Sequence, residues 1–135
     1  MANSLTEYAS DLSDFKDLLR AAADWKKQRT AIVEKDYYLA RALYALCTRH
    51  AGEFILKGGT SLSKGWNLLE RFSEDLDILV RSETGWGAAR RERRLKTLRD
   101  AISNSKGFTL DAEDKRTRAE TGVSRTAVSL RERCK

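Results

Sequence analysis

Proline is absent from all 135 residues, where average usage of about 5% would give roughly seven. A Pro-free chain suits helices and internal strands and argues against extended Pro-rich linkers. Cysteine is nearly as scarce. Cys47 and Cys134 do not make a disulfide framework, and a reducing cytoplasm is the expectation. The single histidine, His50, follows a helical pattern where it can cap the last carbonyls, and no metal-ligand cluster surrounds it in sequence. No apolar run approaches the ~18 residues of a membrane span, because the most apolar stretch, Leu39 to Cys47, already contains Arg41. The N-terminal MANSLTEYASD has neither the basic region nor the apolar region of a secretory signal.

What the chain has is charge. Charged side chains make up 34% of it and hydrophobic ones 41%, with 26 Lys+Arg against 20 Asp+Glu for a net of +6. That is one domain's worth of sequence with enough apolar material for a core. Residues 1–80 hold 11 basic and 12 acidic side chains, whereas residues 81–135 hold 15 and 8. The basic character therefore belongs to the C-terminal part. A solvated helix face accounts for such an imbalance, and a surface that meets phosphate backbones is the functional alternative.

Periodicity gives the elements. Ser4 and Glu7 fit a capping box, and Phe15, Leu18, Leu19, Ala22 and Ala23 repeat at helical spacing. Thr30 is placed to cap a second helix over about residues 31–48, whose broad apolar face includes Tyr44 and Cys47. Asp36 lies in the middle of that face, either as a first-turn acid favoured by the helix dipole or as an inward group that requires a cation. Glu53 to Lys57 reads as a strand closed by Gly58-Gly59, a short helix follows over Thr60 to Glu70, and Asp75 to Val80 forms a second strand. Ala88 to Ser103 is a long basic helix with Leu95, Leu98 and Ile102 on its buried side; Arg90, Arg93 and Arg94 form a patch away from them, either a solvated helix face with a snorkelling Arg91 or an acceptor-RNA surface. Weaker strand signals lie at Phe108 to Leu110 and Val123 to Leu130, separated by the charged stretch Asp111 to Glu120. Trp25, Trp66 and Trp86 are too far apart to form a stacking platform and read as core or rim packing. The order α-α-β-α-β-α-β(-β) indicates an α/β or α+β sheet domain, with α+β the expectation, over 51–135, preceded by N-terminal helices, 1–50, that pack on it.

The chemistry concentrates in residues 54–80. In a strand, positions i and i+2 share a face, so Asp75 and Asp77 project side by side. Two adjacent carboxylates repel unless a hard cation lies between them, and Mg²⁺ prefers a few carboxylates together with phosphate oxygens and water. Gly58 and Gly59 let backbone N–H groups approach an anion, and the helix start that follows points the same way. Thr60 and Ser61 add hydroxyls, and Lys64, one turn on, supplies a cation for phosphate. Together these residues describe a triphosphate cradle facing a metal-binding acid pair. A Walker A loop is excluded because the Ser63-Lys64-Gly65 order puts the glycine on the wrong side of the lysine, and G-x-G-x-x-G is absent.

Three ordered blocks, Glu34-Lys35-Asp36-Tyr37-Tyr38, Phe54 through Leu62 with its Lys57-Gly58-Gly59-Thr60-Ser61 centre, and Arg71-Phe72-Ser73-Glu74-Asp75-Leu76-Asp77-Ile78-Leu79, closely resemble the AbiEii/AbiGii toxin family of nucleotidyltransferases. The resemblance implies a DNA-polymerase-β-like nucleotidyltransferase core and Mg²⁺-dependent transfer of a nucleotide from an NTP to an acceptor, with tRNA the expected one. It also implies the toxin half of a toxin–antitoxin pair with a cognate antitoxin, linked to abortive phage infection. Gly58, Gly59 and Ser61 would hold the triphosphate, Asp75 and Asp77 the metal ions, and Arg71 and Ser73 would line the nucleotide pocket. Asp36 would then be an inward group paired with Lys57 or Arg71. Members of that family run longer, with a third carboxylate on a later strand, for which Asp111 and Glu132 are the available substitutes. The resemblance thus implies a C-terminally truncated member with weak or no catalysis of its own. The alternatives are a non-catalytic module that binds RNA or a partner through its basic C-terminal segment, and an inactive fragment of such an enzyme.

Overall fold

The computed structural model describes residues 8–68, 76–105, 117–120 and 123–128, the last two segments as backbone. The capping box at Ser4 and Glu7 and the strand signal at Phe108 to Leu110 lie outside these residues. The chain divides into two compact units, 1–34 and 35–135.

The first unit holds a 3-10 turn, Ala9–Asp11, and helix α1, Phe15–Lys26. α1 ends where Lys27 adopts φ 52° and donates its N–H to Ala23 and Asp24 carbonyls, a left-handed C-terminal stop. Leu19, Ala23 and Val33 form a small core with Phe15 and Ala22 against it. Leu18 is 44% exposed, so the buried stripe of α1 is narrower than its sequence pattern.

Helix α2 runs Thr30–His50, and its residues from 35 onward belong to the second unit. Strand β1, Phe54–Lys57, leads into a three-residue helix α3, Gly58–Thr60, continued as a π-helical turn, Ser61–Gly65. This helical run therefore starts two residues before the expected Thr60, and among the described residues it stops at Gly65. Strand β2, Leu76–Val80, is followed by helix α4, Ala88–Ser103, and strands β3, Thr117–Glu120, and β4, Val123–Val128. β3 falls within the stretch read from sequence as a charged connection. The four strands form an antiparallel sheet in the order β1-β2-β4-β3, which makes the class α+β.

The core explains the register. On β2, Leu76, Ile78 and Val80 are buried while Asp77 and Leu79 are only half-buried, the period-2 pattern of a sheet with one covered face. The covered face packs Leu39, Ala42 and Leu46 of α2 and Leu95, Leu98, Ala101 and Ile102 of α4 around the β2 residues, with Phe54 and Leu56 of β1 at the edge. Each fully buried Leu or Ile here contributes roughly 1.5–3 kcal/mol. Arg91 behaves as expected of a residue near the apolar side: its guanidinium donates to the Trp86 carbonyl at 3.1 Å. Cys47 is exposed and Tyr44 is 53% exposed, because the stripe that enters the core is centred on Leu39, Ala42 and Leu46. Trp25 and Trp66 are 81% and 72% exposed rather than packed.

Candidate functional site

β1 and β2 pair with Lys57 opposite Asp77 and Phe54 opposite Val80. The next residue after Lys57 is Gly58, so the glycine turn begins directly beside the Asp77 carboxylate. Gly58 has φ +67°, and a Cβ placed on it would lie 2.6 Å from Asp77 Oδ2. A side chain there would displace the Asp77 carboxylate. The close approach of backbone to carboxylate thus has two requirements only glycine meets, a left-handed φ and no Cβ.

Asp77 points to the face of β2 away from the helices that cover Leu76 and Ile78. Among the described residues its carboxylate has no cationic partner, although Lys57 stands across from it in register. A half-buried carboxylate without a cation, beside a turn that begins a helical run, suits a hard metal ion: one charged oxygen ligand is present, and space is kept open by Gly58. A single carboxylate is one ligand only, and the described residues hold no group of three His, Cys, Asp or Glu able to take a metal. Asp75, Arg71 and Ser73, with the substitute acids Asp111 and Glu132, lie outside the described residues.

The remaining cradle residues divide. Gly59 and Ser61 are half-buried within the run that starts at Gly58, and the N–H of Ser61 donates to the Gly58 carbonyl. The first N–H groups of such a run have no acceptor within it. Thr60 is fully buried, which places its side chain in the packing of the turn. Lys64 Nζ donates to Asp36 Oδ2 at 2.6 Å. Asp36 is therefore inward, as one of the two sequence readings has it, and its cation among the described residues is Lys64, not Lys57; Arg71 lies outside them. That pair fastens the π-helical turn to α2. A π turn next to a glycine cradle follows a common pattern, because such turns concentrate at functional sites.

A second constellation lies at the other end of the β1–β2 pair; the sequence reading has its arginine patch but not the contacts with Glu53, His50 and Trp86. His50 does not cap the α2 carbonyls with its ring; its Nδ1 lies 3.0 Å from Glu53 Oε2. Glu53 also forms an ion pair with Arg94 of α4. The Arg94 hydrogen bond holds the Glu53 carboxyl below its ordinary value, against the opposing effect of its partial removal from water, and His50 adds to the lowering. Arg94 and Arg90 both stack on Trp86, with guanidinium carbons 5.5 and 4.2 Å from the ring centroid. The signal was partly present: Arg90 and Arg94 are four apart and share a face of α4, whereas Trp86 precedes the helix and its N-cap Gly87.

The site is a glycine turn pressed against a strand carboxylate, on an antiparallel sheet backed by two helices, in an α+β protein. The family model of the nucleotidyl transferase AbiEii toxin, Type IV TA system, matches residues 41–132. The match spans more than half of the chain, and the chain belongs to this family. Neither the curated proteins nor the solved structures gave a match to it. Among the described residues no helix is long and apolar enough to cross a membrane.

Proposed function

We propose that this chain is a toxin nucleotidyltransferase that transfers a nucleotide from an NTP to an RNA acceptor, with tRNA the expected acceptor, Mg²⁺ the metal and a cognate antitoxin its protein partner in the cytoplasm. The observation that carries the reading is the contact of Gly58 with Asp77, a glycine turn set directly against a strand carboxylate. Family membership supplies the reaction class.

In this reading Asp77 and Asp75 hold the metal, and Mg²⁺ bound there supplies positive charge to the triphosphate oxygens. Gly58, Gly59 and Ser61 turn N–H and hydroxyl donors toward the triphosphate. Thr60 holds the turn from below. Lys64 reaches a phosphate only by exchanging its Asp36 partner for it. Arg71 and Ser73, close before the acid pair in sequence, line the nucleotide pocket.

The test is incorporation of a labelled NTP into tRNA with and without Mg²⁺. Transfer that requires Mg²⁺ and disappears in Asp77→Asn supports the reading, and transfer retained in that variant removes Asp77 from the site. The second reading, a non-catalytic module that binds RNA or a partner, has the arginine row of α4 in its favour. RNA binding without any transfer, in the presence of NTP and Mg²⁺, selects it.

A further inference from the structure

The Glu53–Trp86–Arg94 constellation forms the ridge between two adjoining depressions. One, of about 430 Å³, is lined by His50, Arg90, Arg93 and Thr97 together with the ridge residues. The other, of about 400 Å³, adds Arg81 and Glu83 on the opposite side of the same ridge. They make one groove, open to solvent, that passes over Trp86 and Arg94.

The groove has an excess of positive charge. Arg81, Arg90, Arg93 and Arg94 face Glu53 and Glu83, a balance of +2 before His50 is counted. Only Arg94 of the four is neutralised by an ion pair among the described residues. Arg90 is instead held over Trp86, which fixes its guanidinium at the surface without consuming its hydrogen-bond donors. Fixed guanidinium forks on a rigid helix suit phosphate oxygens, because their donors are pre-organised and bidentate. Two adjoining depressions, each partly open to solvent, suit a chain of phosphates better than one compact anion.

Position supplies the rest. The N–H of Arg81 donates to the Glu53 carbonyl, extending the β1–β2 ladder past Phe54–Val80. Glu53 thus lies four residues along β1 from Lys57, the partner of Asp77, or about 13 Å at ~3.3 Å per residue. The groove is a separate site from the glycine cradle.

We propose that this groove is a docking surface for the sugar-phosphate backbone of an RNA, with Arg90 and Arg93 as its principal phosphate contacts. The choice of RNA over another polyanion rests on the nucleotidyltransferase reading. Backbone contacts of this kind carry no sequence information and weaken with salt as counterions are released.

The experiment measures binding of the full chain to a fluorescently labelled tRNA-sized RNA, without NTP, across about 50 to 200 mM salt. Arg90→Ser/Arg93→Ser is expected to weaken binding about tenfold and to reduce the slope of log K against log salt by about 1.5 to 2. Both side chains lie at the surface, and Arg90→Lys/Arg93→Lys is expected to keep the slope because it keeps the charge. Glu53→Gln is expected to tighten RNA binding by adding one net positive charge. An unchanged slope in the double serine variant overturns the proposal. So does equal loss in the lysine variant, which would mark the pair as structural, or loss of NTP binding with RNA binding intact, which would assign the groove to the nucleotide. Loss of binding to an acidic protein partner with RNA binding unaltered overturns it also. Asp77→Asn separates this result from that of the catalytic reading: it is expected to abolish transfer and leave the salt slope as it is.

Discussion

Replacing Gly58 by alanine tests the central geometry, because two separable effects act at one position. An L-residue at φ +67° bears a left-handed strain of roughly 1–2 kcal/mol. The added Cβ, 2.6 Å from Asp77 Oδ2, also meets the free end of a side chain, which yields by leaving its preferred rotamer at about 0.5–1.5 kcal/mol. The sum is about 1.5–3.5 kcal/mol, or roughly 10 °C in Tm for a chain of this size. The matched controls are Gly52→Ala and Gly85→Ala, where φ is +83° and +93° and no atom lies within 4 Å of the new Cβ. These have the strain alone, roughly 5 °C. The functional difference is larger than the thermal one. Moving the Asp77 carboxylate by about 1 Å is expected to weaken Mg²⁺–NTP binding tenfold or more, since misplacement on that scale is costly at a reacting site, whereas the two controls keep wild-type affinity. Thermal unfolding and calorimetric titration with Mg²⁺–NTP read both effects. If Gly58→Ala matches Gly52→Ala in both, the Gly58–Asp77 contact has no role and the site reasoning fails.

The Asp36–Lys64 pair is mostly shielded from water and short at 2.6 Å, so a double-mutant cycle with Asp36→Ala and Lys64→Ala is expected to give a coupling of about 1 kcal/mol in chemical denaturation; additive losses would show the pair to be incidental. Leu98 is fully buried in the main core, and Leu98→Ala is expected to cost about 2–5 kcal/mol by the same assay. Glu53 is held below its ordinary value of 4.5 by Arg94 first and His50 second, so its stabilising contribution is complete above that value and is lost as pH falls through the lower folded pKa, where the unfolded chain has already taken up its proton. Glu53→Gln is expected to flatten that part of the acid limb in denaturation curves taken from about pH 6 to pH 3, and an unaltered limb would remove Glu53 from the account.

The elements legible from sequence are those whose signals are local. α4 runs over Ala88–Ser103 as its periodic Leu95, Leu98 and Ile102 require, with Gly87 at the N-cap. β1 and β2 are marked by branched and aromatic residues ending at a Gly-Gly pair or followed by a polar run. β3 was not legible, because it is an edge strand of the sheet order β1-β2-β4-β3 with the sequence Thr-Arg-Ala-Glu. Charge on an edge strand discourages further pairing, and it also erases the alternation that would reveal a strand. The pairing of β2 with β4 across α4 joins residues about fifty positions apart, which no local pattern encodes. For the same reason a helical wheel placed Asp36 on the inward face but could not supply Lys64, 28 residues away, as its partner.

The glycine turn and the acid of β2 were legible as separate motifs, and their contact follows from a constraint that was also in the sequence. Leu76, Ile78 and Val80 must all enter the core, so a one-residue slip of β2 against β1 would bury Asp77 and expose all three. The apolar alternation therefore fixes Asp77 on the open face. What the alternation does not determine is how far along β1 that carboxylate sits. Shifts by two residues keep every side chain on its face, and only the observed register, Lys57 opposite Asp77, brings the carboxylate against Gly58. The glycine at residue 58 agrees with that register: in it the backbone holds φ +67° and a Cβ on residue 58 would lie 2.6 Å from Asp77 Oδ2, so the residue that permits the turn also permits the alignment that sets a carboxylate against it.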